Sequence, residues 1–534
     1  MPDRLASDTN RVHASVARLD RRGNAGPTSV LSFLDEWVAV RGDSICLTTV
    51  AANGMATTLT FRELEQFSRR LGYWLHHEVG VQVGDTLGIL PVNDAPSVVA
   101  FFGLFRAGCP ALVLNPLDPE HRLREQLAGV HARLVLRGPG VSAAVLPNST
   151  LIPDPKDLPD PPAGWSGARL QPADDALYFG TSGSTAAAKL VAQTHANAVA
   201  NSEAIRRHHN LGPQDRLLGC LPLHHVNGVH FTLFATLAAG AHAVLADRFN
   251  PFEYPMLLAA HRPTLASVVP SILEALIETW RAPHFPPEFR YFVTAAAPLA
   301  AATARLVHER FNVRILQGYG LTETTNFSTT MPPDLTEEAY RRLSLEPEIP
   351  SVGIPIPGNE VAILNMEGKR VEPGNVGEIC MRGANVMSRY VNNEAATAEA
   401  FRGGWFHSQD LGFEMVEART GRSFFFITGR IKNIAKVRGE SVSLEEMEHA
   451  LRAVPGIRDA ACSARPEPLL GEVVVAAIVA SENVTDELVM TCLRERFAEA
   501  VLPNRLARVA KIPRTPTGKI LRPRLLTLLE SESL

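Results

Sequence analysis

A run of hydroxyl-bearing and small residues follows a short apolar segment in the first half of the chain. It reads Tyr178-Phe-Gly-Thr-Ser-Gly-Ser-Thr-Ala-Ala-Ala-Lys189. Small residues let backbone N–H groups approach an anion, hydroxyls add donors and the lysine adds a cation, so the run could cradle a phosphate. An ordinary Ser/Gly turn is equally compatible with this segment alone. The candidate phosphate-binding residues are Thr181, Ser182, Gly183, Ser184, Thr185 and Lys189.

Two better-known kinds of site do not fit this run. A Walker A loop requires glycine immediately before the lysine and serine or threonine after it, whereas Ala188 precedes Lys189 and Leu190 follows it. A nucleophile elbow requires G-x-S-x-G, but Gly180 and Gly183 surround Ser182 as G-x-S-G. The run therefore predicts neither a P-loop NTPase nor a serine hydrolase.

A second segment, Gln317-Gly-Tyr-Gly-Leu-Thr-Glu323, follows an apolar stretch. Tyr319 between its two glycines could stack on a planar base. Thr322 could hydrogen-bond a phosphate, and the carboxylate of Glu323 could hold Mg²⁺ beside phosphate oxygens. By itself a Gly-Tyr-Gly sequence is more often a turn.

Three later segments also carry polar side chains between glycines or prolines. In Gly404-Trp-Phe-His-Ser-Gln-Asp410-Leu-Gly412, we expect Asp410 to lie in a turn and to accept from both hydroxyls of a ribose. Thr428-Gly-Arg430-Ile-Lys432 is the second segment, and Arg514-Thr-Pro-Thr-Gly-Lys519 near the end is the third. A lysine in a Pro/Gly-bounded loop suits transient contact with phosphate or carboxylate. Each segment alone is also compatible with a cap, a turn or a solvated lysine.

The elements that must position these residues alternate in the first part of the chain. Strand-like Thr86–Leu90, helix-like Pro96–Arg106 and strand-like Pro110–Leu114 follow one another, which predicts parallel sheet with covering helices. Further predicted strands include His131–Leu136 and Tyr291–Thr294. Short strands and turns dominate after residue 350, and about a hundred residues after Thr428 suit a small α+β domain. The sequence thus predicts an α/β fold divided into a lead segment 1–28, a large multi-sheet domain 29–429 with a β-rich part 350–429, and a small domain 430–534.

Composition excludes several classes of protein. Of 534 residues, 46% are hydrophobic and 20% charged, which provides large cores and excludes a disordered chain. The net charge is −4, so we expect no nucleic-acid partner. The six cysteines form no C-x-x-C pair, which favours a reducing cytoplasm over a disulfide scaffold or a structural zinc site. We also expect no membrane span and no secretory signal.

The motifs together resemble the adenylate-forming superfamily of acyl-CoA synthetases, peptide-synthetase adenylation domains and luciferases. The matching segments are TSGSTAAAK, LPLHHVNG, GYGLTE, HSQDLG, GRIKN and TPTGK. The resemblance extends from about residue 30 to residue 525 and implies AMP-forming activation of a carboxylic acid with MgATP. It also implies a mobile small domain.

The resemblance also implies a role for each matching residue. The run ending at Lys189 would hold the β- and γ-phosphates, Thr322 the α-phosphate and Glu323 the Mg²⁺. Lys519 would be the catalytic lysine that bridges the acid and the α-phosphate. Adenine would be bound by Gly318, Tyr319 and Gly320 and by the segment Ala295, Ala296 and Ala297, and ribose by Asp410 and Arg430. His225 would gate the acyl pocket. Lys432 would be the hinge, and Lys436 would face the thiol after domain rotation.

Several positions depart from the family pattern. Ala186-Ala187-Ala188 replaces the usual Gly-x-Pro before the lysine, Gln409 replaces a common glycine, and Arg389 precedes Tyr390 in place of glycine. The segment Ala295–Ala297 has alanine where glycine is commoner. The altered phosphate loop predicts a weaker grip on pyrophosphate. Because Glu323, Asp410, Arg430 and Lys519 are all retained, we expect an active enzyme.

The acid and its acceptor stay open at this level. Small residues near the pocket and the lack of a placeable amine-binding aspartate favour an aryl, alicyclic or fatty acid over an amino acid. We expect an acyl-CoA synthetase using ATP, Mg²⁺ and CoA. The alternatives are a ligase that loads a separate carrier protein and a protein that binds acyl-adenylate or nucleotide with weak adenylation. The resemblance is also compatible with a homodimer.

Overall fold

The computed structural model describes residues 26–181, 189–281, 285–437, 440–467, 471–515 and 518–531. This part of the chain forms two large, mainly parallel sheets with covering helices, a small antiparallel sheet, and an α+β unit at the carboxyl end. The predicted α/β fold class with a separate C-terminal domain is confirmed.

The elements are numbered here in chain order. The strands are β1 (Ile45–Val50), β2 (Ala56–Thr60), β3 (Leu87–Leu90), β4 (Ala111–Val113), β5 (Leu134–Arg137), β6 (Thr150–Leu151), β7 (Asp175–Gly180), β8 (Leu190–Thr194), β9 (Arg216–Gly219), β10 (His242–Ala246), β11 (Leu265–Val268), β12 (Tyr291–Thr294), β13 (Arg314–Tyr319), β14 (Thr329–Thr330), β15 (Ile354–Pro355), β16 (Asn359–Leu364), β17 (Gly377–Gly383), β18 (Arg389–Tyr390), β19 (Phe406–Val416), β20 (Ser423–Arg430), β21 (Ile434–Val437), β22 (Glu440–Ser443), β23 (Ile457–Glu467), β24 (Gly471–Ala480) and β25 (Arg505–Arg508). The α-helices are α1 (Val30–Arg41), α2 (Phe61–His77), α3 (Ala95–Arg106), α4 (Glu120–Gly129), α5 (His195–His208), α6 (Thr236–Ala238), α7 (Tyr254–His261), α8 (Pro270–Thr279), α9 (Ala301–Phe311), α10 (Glu337–Tyr340), α11 (Glu394–Ala400), α12 (Leu444–Ala453), α13 (Asp486–Arg494) and α14 (Arg522–Ser531). The segments Asn227–Ala235 and Arg341–Leu345 are π-helical.

The predicted strand–helix alternation is present from β3 to β5. Helix α3 begins directly after Asp94, whose carboxylate accepts from the backbone N–H of Ser97 at 2.8 Å, and Pro96 lies in its first turn. Strand β3 pairs in parallel with both β4 and β5, as expected for β-α-β units. Strand β5 begins later than the predicted His131, because His131 has a φ of 51° and lies in the turn that ends α4.

The other large sheet has the order β15-β14-β13-β12-β11-β9-β10-β1-β2. Within it, β9, β11, β12 and β13 lie side by side and run parallel. Their apolar side chains belong to one continuous core that also holds buried aromatic rings such as Phe231, Phe292 and Phe327. Since parallel strands end at the same edge, the segments that follow these four strands meet there.

The small antiparallel sheet has the order β16-β17-β19-β20. The prediction that Asp410 lies in a turn is wrong, because Asp410 belongs to β19 and pairs with Arg430 of β20. The strand is nevertheless irregular at this point. Gln409 has a φ of 62°, in the left-handed region, and the pairing register shifts after Leu411. The irregularity provides the local bend that the motif suggested.

The carboxyl-terminal unit consists of β21 to β25 with helices α12, α13 and α14. Its core is separate from the others and is formed mainly by aliphatic side chains of β23, β24 and α12. A single helical turn, Ile431–Asn433, connects the end of β20 to the start of β21. The predicted domain boundaries stay predictions, although the chain changes sheet at this turn. Among the described helices, none is both long and apolar enough to cross a bilayer.

Candidate active site

The predicted site residues lie at the carboxyl edge of the large sheet that contains β9 to β13. The segments that follow the parallel strands are Leu221–Asn227 after β9, 269–270 after β11, Ala295–Ala297 after β12 and Gly320–Glu323 after β13. Most of these residues remain partly exposed, in contrast to the fully buried strands beneath them. The edge is therefore an open cleft of the kind that binds ligands in α/β proteins.

The candidate phosphate loop connects the antiparallel strands β7 and β8. Its two ends are close, because the backbone N–H of Thr181 donates to the carbonyl of Lys189 at 2.9 Å. The Lys189 ammonium lies 4.8 Å from the centroid of the Tyr390 ring, in a cation–π contact. The predicted residues Ser182, Gly183, Ser184 and Thr185 lie outside the described residues.

The Gly320–Glu323 segment forms a tight turn at the end of β13. Gly320 is required for space, because a Cβ there would lie 1.7 Å from the carbonyl oxygen of Asn326. The side-chain amide of Gln193 donates to the carbonyl of Thr322 at 2.8 Å. The Tyr390 hydroxyl donates to Oε1 of Glu323, also at 2.8 Å. Two side chains of the neighbouring sheet thus fix the orientation of Thr322 and Glu323.

Asp410, Tyr319 and Arg430 form one cluster, in which Asp410 and Tyr319 are buried and Arg430 is partly exposed. The Tyr319 hydroxyl donates to Asp410 Oδ2 at 2.7 Å, and Arg430 Nε lies 2.8 Å from Asp410 Oδ1. The Asp410 carboxylate raises the pKa of Arg430 above its usual range. Burial raises the pKa of the Tyr319 hydroxyl, so it stays a donor to the carboxylate. Tyr319 is 7% exposed, so only a small part of its ring is available to a base.

The small domain contributes Lys519 to the same cleft. An added Cβ on the preceding Gly518 would lie 3.2 Å from the Cβ of Ala297, which places this loop against the segment after β12. Burial and the positive charge of Arg430 lower the pKa of Lys519. The carboxylates of Asp410 and Glu323 act in the opposite direction. These effects show that Lys519 lies among the other predicted site residues.

Arg514 fixes the loop that carries Lys519. Arg514 Nη2 lies 2.7 Å from Asp459 Oδ1 in an ion pair, and Arg514 Nη1 donates to the carbonyl of Gly518 at 2.8 Å. Arg496 of the small domain also pairs with Glu348 of the large domain at 2.6 Å. The loop is therefore held within its own domain, and the domain is held against the large one.

The remaining lysines of the motif lie in different environments. Lys432 lies in the connecting turn Ile431–Asn433, and its role as the hinge stays a prediction. Lys436 lies on β21 with an exposed side chain, and its backbone N–H donates to Glu472 at 2.6 Å. Lys436 is thus more exposed than Lys519, whose side chain is partly buried.

His225 lies on the other side of the cleft. Burial and the nearby positive charge of Lys519 lower the pKa of His225 to about 4, so the ring is neutral at pH 7. The His224 ring lies 4.6 Å from it, and burial lowers the pKa of His224 to about 3. Nearby, Ala296 has a φ of 71°, a conformation that the glycine common at this segment would adopt without strain.

The polar residues that support the site could not be predicted from the sequence. Gln193 and His230 are fully buried, and His230 Nε2 lies 2.8 Å from Gln193 Oε1. Because an amide oxygen only accepts, His230 carries its proton on Nε2. Burial lowers the pKa of His230 to about 3. No local spacing reveals this pair, since Gln193 lies near the end of a strand and His230 lies on a separate π-helix.

Beside Asp410, Glu378, Cys380 and His407 place possible metal-binding atoms within 4.8 Å of one another. The same Glu378 oxygen already accepts from His407 Nδ1 at 2.7 Å and pairs with Arg402 at 2.8 Å. Arg402 balances the carboxylate charge, so we interpret the cluster as a buried ion-pair network. The other oxygen of Glu378 accepts from the Gln409 N–H at 2.9 Å, which supports the bend before Asp410.

The chain is similar to a large set of known proteins. The family model for AMP-binding enzymes matches residues 34–391, and the model for the C-terminal domain of AMP-binding enzymes matches residues 446–519. The chain belongs to the AMP-binding enzyme family. The resemblance inferred from the motifs is thereby confirmed.

Curated relatives share this family and its ligase names. A sulfoacetate–CoA ligase of Cupriavidus necator is 32% identical over 88% of this chain and 92% of its own length. A 2-succinylbenzoate–CoA ligase of Bacillus velezensis is 30% identical over 89% of this chain and 94% of its own. The o-succinylbenzoate CoA synthetase of Bacillus subtilis, solved with its acyl-adenylate intermediate, superposes with a TM-score of 0.79 at 25% identity and covers 92% of this chain and 97% of its own.

As an AMP-binding enzyme, the chain is an ATP-dependent, AMP-forming acid–thiol ligase. It activates a carboxylic acid as the acyl-adenylate and transfers the acyl group to CoA, with ATP and Mg²⁺. The residues present fit a bound magnesium ion. Glu323 Oε2 accepts no hydrogen bond from the described residues, and a carboxylate oxygen is a ligand that Mg²⁺ prefers.

Proposed function

We propose that this acyl-CoA synthetase carries out adenylation with the cleft described above and with Lys519 as its catalytic lysine. The observation that supports the assignment is the position of the Lys519 loop: an added Cβ on Gly518 would lie 3.2 Å from the Cβ of Ala297, and the charges of Arg430, Asp410 and Glu323 act on Lys519. A cation at this position can contact the acid carboxylate and the α-phosphate together. It would neutralise charge where charge accumulates in the transition state.

The other predicted residues receive roles that follow from their positions. Asp410, whose charge Arg430 balances, would accept from the ribose hydroxyls. Thr322 would donate to the α-phosphate, and Glu323, which Tyr390 orients, would hold Mg²⁺. A magnesium ion there would neutralise phosphate charge. Lys189 and Thr181 would bind the outer phosphates together with Ser182, Gly183, Ser184 and Thr185. The segments Ala295–Ala297 and Gly318–Gly320 would enclose the base, and His225 would line the acid pocket.

The chemistry balances with these groups alone. A carboxylate oxygen of the acid attacks the α-phosphorus of ATP, the bond to the bridging oxygen of the β-phosphate breaks, and pyrophosphate leaves with its electron pair. No proton is transferred in this step, which suits a site whose histidines are neutral. The thiol of CoA then loses its proton to solvent, and the sulfur attacks the acyl carbon. The bond from the acyl carbon to the phosphate oxygen breaks, and AMP leaves with its electron pair.

We further propose that the small domain rotates about Lys432 between the two steps. Rotation would withdraw Lys519 after adenylation and bring the segment of the exposed Lys436 to face the thiol. The short turn Ile431–Asn433 connects the two domains, and Arg496 and Glu348 form an ion pair between their surfaces. Exposed ion pairs of this kind contribute at most about 1 kcal/mol, so they would not prevent the rotation.

Family membership does not fix the acid, because relatives are named for sulfoacetate, 2-succinylbenzoate and long-chain fatty acids. From the small residues around the pocket we propose an aryl, alicyclic or fatty acid. A carrier protein as acceptor, a homodimer and a cytoplasmic location stay predictions.

The direct test is mass spectrometry of reactions with MgATP and a panel of such acids, with and without CoA. We expect an acyl-CoA product from at least one acid. Adenylate without thioester would identify a carrier protein as the acceptor. Neither product across the panel would contradict the proposal and favour a nucleotide-binding protein.

A further inference from the structure

A polar pair lies in the wall of the same cleft, beside His225. Asn227 begins the π-helix Asn227–Ala235, and Ser267 lies near the carboxyl end of β11. Ser267 pairs across the sheet with Gly219 of β9 and Val293 of β12. These strands lead directly into Leu221–Asn227 and Ala295–Ala297, the segments that surround the cleft. The pair therefore lies beside the segments where the acid must bind if the proposed function is correct, and Asn227 is partly exposed there.

The hydroxyl of Ser267 donates to Asn227 Oδ1 at 2.7 Å. Ser267 is 1% exposed and is fixed by the sheet, so it holds the amide in one orientation. With Oδ1 engaged, the Asn227 amide presents Nδ2 with two N–H donors. Within the described residues, no group accepts a hydrogen bond from Nδ2. This atom is not among the fully buried polar atoms, and Asn227 is partly exposed.

The backbone around Asn227 is rigid. An added Cβ on Gly228 would lie 2.4 Å from the carbonyl oxygen of Pro222, so the start of the π-helix packs tightly on the loop before it. Single π-helical turns are often found at functional sites. A rigid support means that the amide cannot turn away from a ligand that fails to bind it.

The charges nearby define which partner suits Nδ2. His224 and His225 are neutral at pH 7 because burial lowers the pKa of both rings. Lys519 supplies a cation on the side where the reacting carboxylate is proposed to bind. An acid that binds this site would meet a cation at its carboxylate and a neutral donor farther along.

We propose that Asn227, held by Ser267, selects acids that carry an oxygen acceptor beyond the carboxylate: a hydroxyl, a carbonyl or a second oxyanion. A hydrocarbon group at that position would cover the two N–H donors and leave them without partners. Burying an unpaired amide is costly, whereas an oxygen restores the hydrogen bond. This inference rests on the proposed function and names the substrate class for its acid pocket.

The test uses pairs of acids that differ by oxygen against methyl. Suitable pairs are 4-hydroxybenzoate and 4-methylbenzoate, 4-oxopentanoate and 4-methylpentanoate, and 4-hydroxy- and 4-methylcyclohexanecarboxylate. The kcat/KM for adenylation is measured by pyrophosphate release for the wild type, Asn227→Leu and Ser267→Ala. The ratio within a pair does not depend on the active fraction, so a partly misfolded variant still gives a valid result.

For the best pair, we expect the wild type to prefer the oxygenated acid by at least about 10-fold. Asn227→Leu should bring the ratio to within about 3-fold of one, with an unchanged KM for ATP. Ser267→Ala should reduce the preference partially, since the amide can then turn.

A wild-type ratio near one, or an unchanged ratio in Asn227→Leu, would overturn this inference and leave the proposed function intact. Failure of every acid in every pair to form adenylate would overturn the proposed function, and this inference with it.

Discussion

We expect Gln193 to hold the turn Gly320–Glu323 in place. The substitution Gln193→Met tests this without creating a cavity. Methionine has nearly the length and volume of glutamine but can neither accept from His230 nor donate to Thr322. In the wild type both hydrogen bonds measure 2.8 Å, and Gln193 and His230 are fully buried. The substitution would leave the buried His230 Nε2–H unpaired. It would also remove one of the two hydrogen bonds to the Thr322 carbonyl, which still accepts from the backbone N–H of Thr325 at 3.1 Å.

Each buried group left without a partner costs about 1–3 kcal/mol. We therefore expect Gln193→Met to lower the free energy of unfolding by about 2–4 kcal/mol, about 1–3 for the unpaired His230 Nε2–H and about 1 for the hydrogen bond lost at Thr322. Thr322 and Glu323 would also lose their fixed orientation. The rate constant for adenylation should fall about 10- to 100-fold, because a displaced contact of this kind affects positioning in the transition state. Urea unfolding gives the first quantity and ATP–pyrophosphate exchange the second.

His230→Leu is the matched control. It leaves only Gln193 Oε1 unpaired and keeps the bond from Gln193 to Thr322. Stability should fall by about 1–3 kcal/mol, with adenylation within about 3-fold of wild type. Wild-type stability and exchange in Gln193→Met would refute this role of Gln193. So would a loss of activity in His230→Leu as large as that in Gln193→Met.

Two further substitutions test the interior and the metal-binding carboxylate. His209 is fully buried, neither of its ring nitrogens has a hydrogen-bond partner among the described residues, and burial holds its pKa well below 6.5. As pH falls below 6.5, the unfolded state binds more protons than the folded state, so the free energy of unfolding declines. His209→Phe should reduce the loss in the free energy of unfolding between pH 7.5 and 5.0, measured with urea, by about 2 kcal/mol. An unchanged loss would contradict this. Tyr390→Phe removes the hydroxyl that binds Glu323 but keeps the ring beside Lys189. Calorimetry should show MgATP binding weakened about 3- to 10-fold in Tyr390→Phe and more in Tyr390→Leu; equal affinity in all three proteins would show that neither contact matters.

The order of strands and helices could be predicted from sequence because local patterns determine it. A strand that is a continuous apolar run has clear ends, and β12, Tyr291–Thr294, has the bounds that its sequence predicts. Likewise α3 begins within one residue of its predicted start, because Asp94 and Pro96 mark a helix start unambiguously. The observed boundary of a strand differs from the predicted one where backbone conformation determines it. An example is His131, whose positive φ cannot be read from the residue type.

The motif residues of the site could also be found from sequence, but not the contacts between them. Asp410 lies opposite Arg430 only because β19 and β20 pair in a register that shifts after Leu411. The Tyr319 hydroxyl reaches Asp410 across 91 positions of the chain. Such pairs depend on sheet order and packing, which hydrophobic periodicity does not specify.

The central claim is that Lys519 acts in adenylation and Lys436 does not. The most direct measurement separates the half-reactions in Lys519→Ala and Lys436→Ala, with pyrophosphate exchange for adenylation and a preformed acyl-adenylate plus CoA for thioester formation. We expect Lys519→Ala to lower the rate of pyrophosphate exchange at least about 100-fold, as the loss of one transition-state contact does, while ATP still binds. Lys436→Ala should retain exchange and lose thioester formation. Undiminished adenylation in Lys519→Ala would contradict the account.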